Sequence, residues 1–248
     1  MSAPPPIVAH RGWATRYPEN SLPALLAAVE AGVTRVEFDV QLSADGVPVV
    51  IHDPTLDRTT GQPGSVLDLP WDRLRGTLLR DHGLSAPLAS LAEVAGELAA
   101  DPSVTAFVEL KRHSIERFGA TDCVRRCLDV LKPLAGRFIF TSFEAPALEA
   151  ARSQGADRIA WVLRTWDEDS LAFARHLRPD YLFCNHEKLP PDDAPLPAGD
   201  WRWVIYEVRT AALARSLLGR GTDLLETMAV GELAAALVAD DAAGDAAQ

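Results

Sequence analysis

Cysteine is scarce in this chain of 248 residues: Cys123, Cys127 and Cys184 make three, an odd number that excludes a fully paired disulfide framework. Cys123 and Cys127 stand four apart in a helical pattern, so they read as small buried apolar residues of a protein in a reducing compartment. Long apolar runs are also missing. No stretch approaches the roughly 18 residues of a membrane span, and the opening MSAPPPIVAH has neither the basic nor the apolar segment of a secretory signal. These absences predict a cytoplasmic protein without integral membrane contact. Positive charge is in deficit, 24 Lys and Arg against 35 Asp and Glu, for a net charge of −11. That balance argues against nucleic acid or an anionic membrane surface as a partner, and it means an anionic ligand would need a local cation. No repeat at solenoid periods is visible. The one biased stretch is ADDAAGDAAQ at the end, where 241–248 reads as a disordered acidic tail.

What is present is an ordinary globular composition, 48% hydrophobic and 24% charged, in a length typical of one (β/α)8 barrel, about 250 residues. Strands are expected at 5–10, around 36–40 and at 47–51, 105–111, 137–142, 158–163, 181–184, 203–208 and 224–227. Helices are expected at 22–31, 91–100, 117–131, 145–154, 168–177 and 211–218, with a last one ending near 238. This alternation predicts an α/β fold, a TIM barrel of about eight βα units forming a single domain over 1–240. The stretch 54–87 breaks the rhythm and is expected to form a small capping insertion after the second strand.

The most informative stretch is TRVEFDVQLSADGVPVVIHDPTLDRTT, 34–60. Val36, Phe38 and Val40 fall on one parity and Glu37, Asp39 and Gln41 on the other. Two acids at i, i+2 usually mean a solvated strand face. In a sheet whose strands are covered by helices, however, the polar parity must face the barrel interior. The Asp45-Gly46 turn and a short returning strand bring His52 back towards both acids. Further along, Phe107, Glu109 and Lys111 share a parity, and His10 and Arg11 end the first strand. Chemistry in such barrels collects at the strands' C-terminal ends. Three acids converging there repel one another unless something positive lies between them, and oxygen ligands suit a hard divalent cation, Mg²⁺ or Ca²⁺.

Read together, His10-Arg11-Gly12, Pro18-Glu19-Asn20-Ser21, Val36-Glu37-Phe38-Asp39-Val40, Asp45-Gly46, His52-Asp53, Leu56-Asp57-Arg58-Thr59-Thr60, Pro87-Leu88 with Leu91 and Glu93, and Glu109-Leu110-Lys111 resemble the glycerophosphodiester phosphodiesterase family. The resemblance is specific over 7–111 and weak beyond it. It implies metal-dependent hydrolysis of a small-molecule glycerophosphodiester to sn-glycerol 3-phosphate and an alcohol, through a cyclic phosphate formed by the substrate's own hydroxyl. It also implies that Glu37, Asp39 and Glu109 hold one divalent cation, that Arg11 and Lys111 bind phosphate, and that His10 and His52 exchange protons. The last strands depart from the family's usual Trp-Thr-Val-Asn and Gly-Val-Asp-Gly-Ile-Ile-Thr-Asp: here stand Tyr206-Glu207-Val208-Arg209 and a run ending in Met228. Tyr206 can replace the aromatic wall of the substrate pocket, and Met228 cannot replace a carboxylate. Lysophospholipids or phosphoinositides are rival substrates, and a phosphate-binding barrel without turnover is the rival from another class. For single residues, His52-Asp53 as a plain turn, Arg58 as a rim ion pair, and Trp13 as either packing or pocket wall stay open; His82, His113, His176 and His186 read as surface or packing residues.

Overall fold

A computed structural model describes residues 6–245, and the side chains as far as residue 237. Its strands are β1 (Ile7–His10), β2 (Arg35–Leu42), β3 (Pro48–Val50), β4 (Leu78–Asp81), β5 (Leu84–Pro87), β6 (Thr105–Leu110), β7 (Phe138–Ser142), β8 (Ile159–Val162), β9 (Tyr181–Asn185), β10 (Arg202–Tyr206) and β11 (Leu224–Thr227). Eight of them, β1, β2 and β6 to β11, pair in parallel around a closed circuit: β11 returns to β1, and β1 pairs with β2. This is the expected TIM barrel. Strand β3 lies antiparallel on β2, with Val40 opposite Val50.

The period-two pattern sorts the side chains into two cores. Val8, Phe107, Ile139, Ala160, Val162, Tyr181, Phe183, Val204 and Leu224 point inward and plug the barrel, with Phe107 edge-on to both Tyr181 and Phe183. Val36, Phe38, Val40, Ala106 and Val108 point outward into the layer beneath the helices. Because apolar side chains fill the lower barrel, polar inward residues have room only above them, at the C-terminal ends of the strands.

Helices follow most strands, each with a local reason to start. Ser21 caps Leu22–Glu30, accepting from Ala24 N, and Pro23 is harmless in that first turn. Ser90 and Glu93 form a reciprocal capping box on Leu91–Leu98. The single helix expected at 117–131 is instead two, Arg112–Phe118 and Ala120–Val130. Gly119 separates them at φ 82°, a conformation that breaks a helix and suits glycine. After β9 there is only a 3-10 turn, His186–Lys188; Leu189, Leu196 and Trp201 from the following loop fill the outer core there. The acidic tail is also different from the expectation of disorder: the last helix runs Val230–Asp245, consistent with alanine's high helix propensity. Residues 246–248, and the start of the first expected strand at residue 5, lie outside the described residues. No described helix is long and apolar enough to cross a membrane.

The insertion at 54–87 has its own small core, in which Leu56, Val66, Leu74 and Leu79 pack on Val49 and Ile51. Its β4–β5 hairpin turns on His82 and Gly83, both at positive φ. It touches the loop that follows β1: Arg58 reaches Glu19, and His82 Nε2 lies 2.9 Å from the Ala14 carbonyl oxygen.

Candidate active site

The cavity at the C-terminal end of the barrel holds about 160 Å³ and is lined by His10, Arg11, Glu37, His52, Glu109, Lys111 and Tyr206, among others, with no lining residue from 54–87. Strand register assembles it. His10 stands opposite Glu37 across β1–β2, and Asp39 opposite Glu109 across β2–β6. One oxygen from each of Glu37, Asp39 and Glu109 lies within 4.8 Å of the others.

Asp39 is held from several sides. Asn20, itself at φ 58°, donates from Nδ2 to Asp39 Oδ2 at 2.9 Å and accepts from Asp39 N at 3.0 Å. Arg11 Nε lies 3.1 Å from Oδ2, and Lys111 Nζ donates to Oδ1 at 3.0 Å and to Glu109 Oε1 at 2.7 Å. Gly12, at φ 79°, lets this corner close, since a Cβ there would lie 2.5 Å from the backbone of Ala24. Gln41, next inward on β2, donates to the His52 carbonyl oxygen and accepts from Ser114 Oγ, fixing the returning strand.

The electrostatics divide the acids. Burial opposes ionisation of Asp39, but Lys111 and Arg11 outweigh it and hold this carboxyl well below the usual range. Glu37 is pushed up by burial and then by the Asp39 and Glu226 charges, and Glu109 is raised chiefly by burial. Glu37 Oε1 is buried without a hydrogen-bond partner. A hard cation fits this donor set, because it would let all three acids ionise together and would satisfy the orphaned oxygen.

His10 is pushed down to about 3, by burial first and then by Arg11, so its imidazole is neutral at ordinary pH. Its Nε2 lies 3.9 Å from Glu37 Oε2 and its Nδ1 3.8 Å from Glu207 Oε1. His52 faces the same cavity, with Nδ1 2.6 Å from Asp53 Oδ1. Asp53 accepts from Arg58 Nε at 2.5 Å, Arg58 reaches both oxygens of Glu19, and Glu19 accepts from Arg11 at 3.0 Å. An unbroken polar chain therefore runs along the rim from His52 to Arg11, with Arg58 as a half-exposed ion-pair partner.

All eight residues singled out from the sequence come together here. Trp13 does not: its ring packs on Gly231 and its Nε1 donates to Glu232, tying the first loop to the last helix. Met228 is not a lining residue; its carbonyl oxygen accepts from Thr15. The acids on this side are two that sequence reasoning passed over, Glu207 and Glu226. Glu226 is 3% exposed and raised by burial and by the Glu109 and Asp39 charges. The parity rule that marks Glu37 would have marked it too, since Glu226 and Leu224 share the inward face of β11.

Comparisons with known proteins agree with this geometry. The chain is 30% identical over 187 residues to human glycerophosphodiester phosphodiesterase 1, covering 72% of this chain and 54% of that one. It is 32% identical over 177 residues to the uncharacterized protein YqiK of Bacillus subtilis, covering 70% and 63%. The chain spans about half the length of the mammalian relatives it matches. Among solved structures, a phosphodiesterase from Oleispira antarctica in complex with the product sn-glycerol-3-phosphate superposes with a TM-score of 0.77 at 21% identity, over 93% of this chain and 96% of that one. A putative glycerophosphoryl diester phosphodiesterase from Silicibacter pomeroyi gives 0.80 at 20%, over 94% and 93%. At these identities the two structures establish the shared fold. The model of the glycerophosphoryl diester phosphodiesterase family matches residues 10–191, well over half the sequence, and the chain belongs to that family.

Proposed function

We propose that the chain hydrolyses glycerophosphodiesters to sn-glycerol 3-phosphate and an alcohol, with the barrel as one catalytic domain and 54–87 as its insertion. The observation that carries this reading is the convergence of Glu37, Asp39 and Glu109 at a cavity that Glu37 and Glu109 line together with His10 and His52. Glu37, Asp39 and Glu109 would hold one divalent cation, Mg²⁺ or Ca²⁺, which would supply Lewis-acid stabilisation of charge on the phosphoryl oxygens. Arg11 and Lys111, which pair with the same acids, would turn their donors to the diester phosphate.

His10, whose ring lies in the cavity between Glu37 and Glu207, would take the proton of the substrate hydroxyl next to the phosphate as that oxygen bonds to phosphorus. His52, steadied by Asp53, would protonate the departing alcohol oxygen as its bond to phosphorus breaks. The cyclic phosphate left behind would be opened by water with the two roles reversed, giving glycerol 3-phosphate. A barrel that only bound phosphate would need neither of the two imidazoles that face this cavity, nor the carboxylate that braces one of them. The direct test is a panel of glycerophosphodiesters, lysophospholipids and phosphoinositides with Mg²⁺ and with Ca²⁺, reading glycerol 3-phosphate by a coupled enzyme for the first group and the phosphorylated products of the other two by ³¹P NMR. Glycerol 3-phosphate released from the first group, and abolished by chelation, is the expected result. Phosphate binding without product would leave the binding barrel, and turnover confined to lysophospholipids or phosphoinositides would reassign the substrate.

A further inference from the structure

The insertion 54–87 puts no side chain into the cavity wall, yet one of its residues is bonded to the partners of two residues that line it. Arg58 stands on the short helix Asp57–Thr60, whose backbone has little freedom. Leu56 before it is 2% exposed in the insertion's own core, Thr60 Oγ1 donates to the Leu56 carbonyl oxygen at 2.7 Å, and Thr59 and Thr60 are themselves buried. From this base the guanidinium sets three nitrogens on two carboxylates. Its Nε donates to Asp53 Oδ2 at 2.5 Å, and Nη1 and Nη2 donate to the two oxygens of Glu19 at 2.8 Å and 2.7 Å. Each carboxylate passes the constraint on: Asp53 Oδ1 lies 2.6 Å from His52 Nδ1, and Glu19 Oε1 accepts from Arg11 Nη1 at 3.0 Å.

A half-exposed ion pair on a protein surface usually adds little stability. What this one adds is geometry. A guanidinium is a rigid planar fork, so it fixes the separation and orientation of the two acids as a single ammonium could not. With Nδ1 of His52 taken by Asp53, Nε2 is the nitrogen left to meet a departing oxygen. With Glu19 behind it and Asp39 3.1 Å from its Nε, Arg11 is braced on two sides. His52 follows β3 and Arg11 follows β1, so nothing in the local chain sets their spacing. Among the described residues Arg58 is the one group bonded to the carboxylate partners of both.

We propose that Arg58 is a positioning residue for the reaction: it clamps Asp53 and Glu19 as one unit, so that His52 and Arg11 are held at a fixed spacing across the substrate's phosphate, and the insertion takes part in catalysis through this one side chain. The inference rests on the hydrolase reading above and deepens it. Arg58 touches neither substrate nor cation in this account and acts only through the two carboxylates.

The test is kcat and KM of the metal-loaded full chain on sn-glycero-3-phosphocholine and sn-glycero-3-phosphoglycerol. Arg58→Lys keeps the charge and loses the fork; it should lower kcat and raise KM together, for a fall in kcat/KM of about tenfold or more, the scale of a small misplacement of reacting groups. Arg58→Gln supplies the same readout should the first variant fail to fold. Glu19→Gln, Asp53→Asn and their double variant then show whether the two acids are coupled. They share no bond except through Arg58, so with Arg58 present the double variant should lose much less than the product of the singles, and with Arg58→Lys it should lose the full product. Wild-type kcat and KM in a folded Arg58 variant, or losses that multiply while Arg58 is present, would overturn the clamp and leave the hydrolase reading intact. Absence of glycerol 3-phosphate from both substrates with the wild type would overturn both.

Discussion

Asp39 and Glu109 stand directly opposite one another across β2–β6, and the Lys111 ammonium bridges them at 3.0 Å and 2.7 Å. Burial opposes the charge on Lys111, but the two acids outweigh it and raise its pKa. Removing this cation leaves Asp39 facing Glu109 and Glu37 with Arg11 as its remaining cationic neighbour. Lys111→Ala should therefore destabilise the metal-free protein by about 3 kcal/mol, the scale of breaking a buried ion pair. Added Mg²⁺ or Ca²⁺ should restore much of that loss, because it supplies charge to the same acids. Chemical denaturation with and without the ion checks this, and equal losses in both conditions would argue that Lys111 acts through packing.

A second expectation concerns pH. Glu37, Glu109 and Glu226 have raised pKa values in the folded state, so between the unfolded value and the raised one the native state binds more protons. Their contribution to stability is present at low pH and is lost as pH rises. His10, lowered to about 3, works in the opposite direction between about 3 and its ordinary value: there the unfolded state binds the extra proton, so acid destabilises. A bound cation requires the acids ionised, and its stabilisation grows with pH. The difference in Tm between metal-loaded and chelated protein should widen from about pH 5 to about pH 8, and should shrink in Glu37→Gln and Asp39→Asn together with activity. A gap independent of pH would remove the acids from the binding site.

For the proton-transfer pair, His10→Ala and His52→Ala should each lower kcat by about 10²-fold or more, with little change in far-UV circular dichroism. The double variant should be much less damaged than the product of the two singles, because both groups serve one pathway. Asp53→Asn should lower kcat less than loss of His52 does, since it releases the imidazole without removing it. An unaffected His52 variant would make His52-Asp53 a plain turn.

The cluster of acids around Lys111 was legible in the sequence because its residues obey one rule. Glu37, Asp39 and Glu109 sit on strands long enough for period two to show which side each takes, Lys111 follows the end of β6 in the same alternation, and parallel register brings them together. Glu226 obeys the same rule, but it is a lone acid on a four-residue strand with no second acid at i+2 to draw notice. Glu207 could not be read at all: it follows the end of β10 at φ 64°, and its position depends on how that loop turns. The division of the helices at Gly119 is similar. Apolar periodicity runs past it, and it is the glycine's left-handed backbone that separates Ser114, bonded to Leu42 N and Gln41, from Cys123 and Cys127 in the helix beyond.

The last prediction concerns the nucleophile. Cys184, whose thiol is pushed up to about 12 by burial, does not line the cavity, and Cys123 and Cys127 are buried among the helices. Among the described residues the only hydroxyls lining it are Thr141, whose Oγ1 has no base bonded to it, and Tyr206, whose phenol is raised by burial and then by Cys184 and the acids around it. No lining side chain is an activated nucleophile of the usual kind, which leaves the substrate's own hydroxyl or water. A diester lacking the hydroxyl next to the phosphate should still bind with similar affinity, since Arg11, Lys111 and the cation meet its phosphate. Its turnover should fall by orders of magnitude, because the attacking group is no longer held beside phosphorus. Single-turnover rates on the matched and deoxy substrates, with ¹⁸O-labelled water, separate the routes. If the deoxy compound is cleaved at the ordinary rate and labelled oxygen reaches phosphorus in that one step, water attacks directly, and His10 then acts as its base while His52 remains the acid.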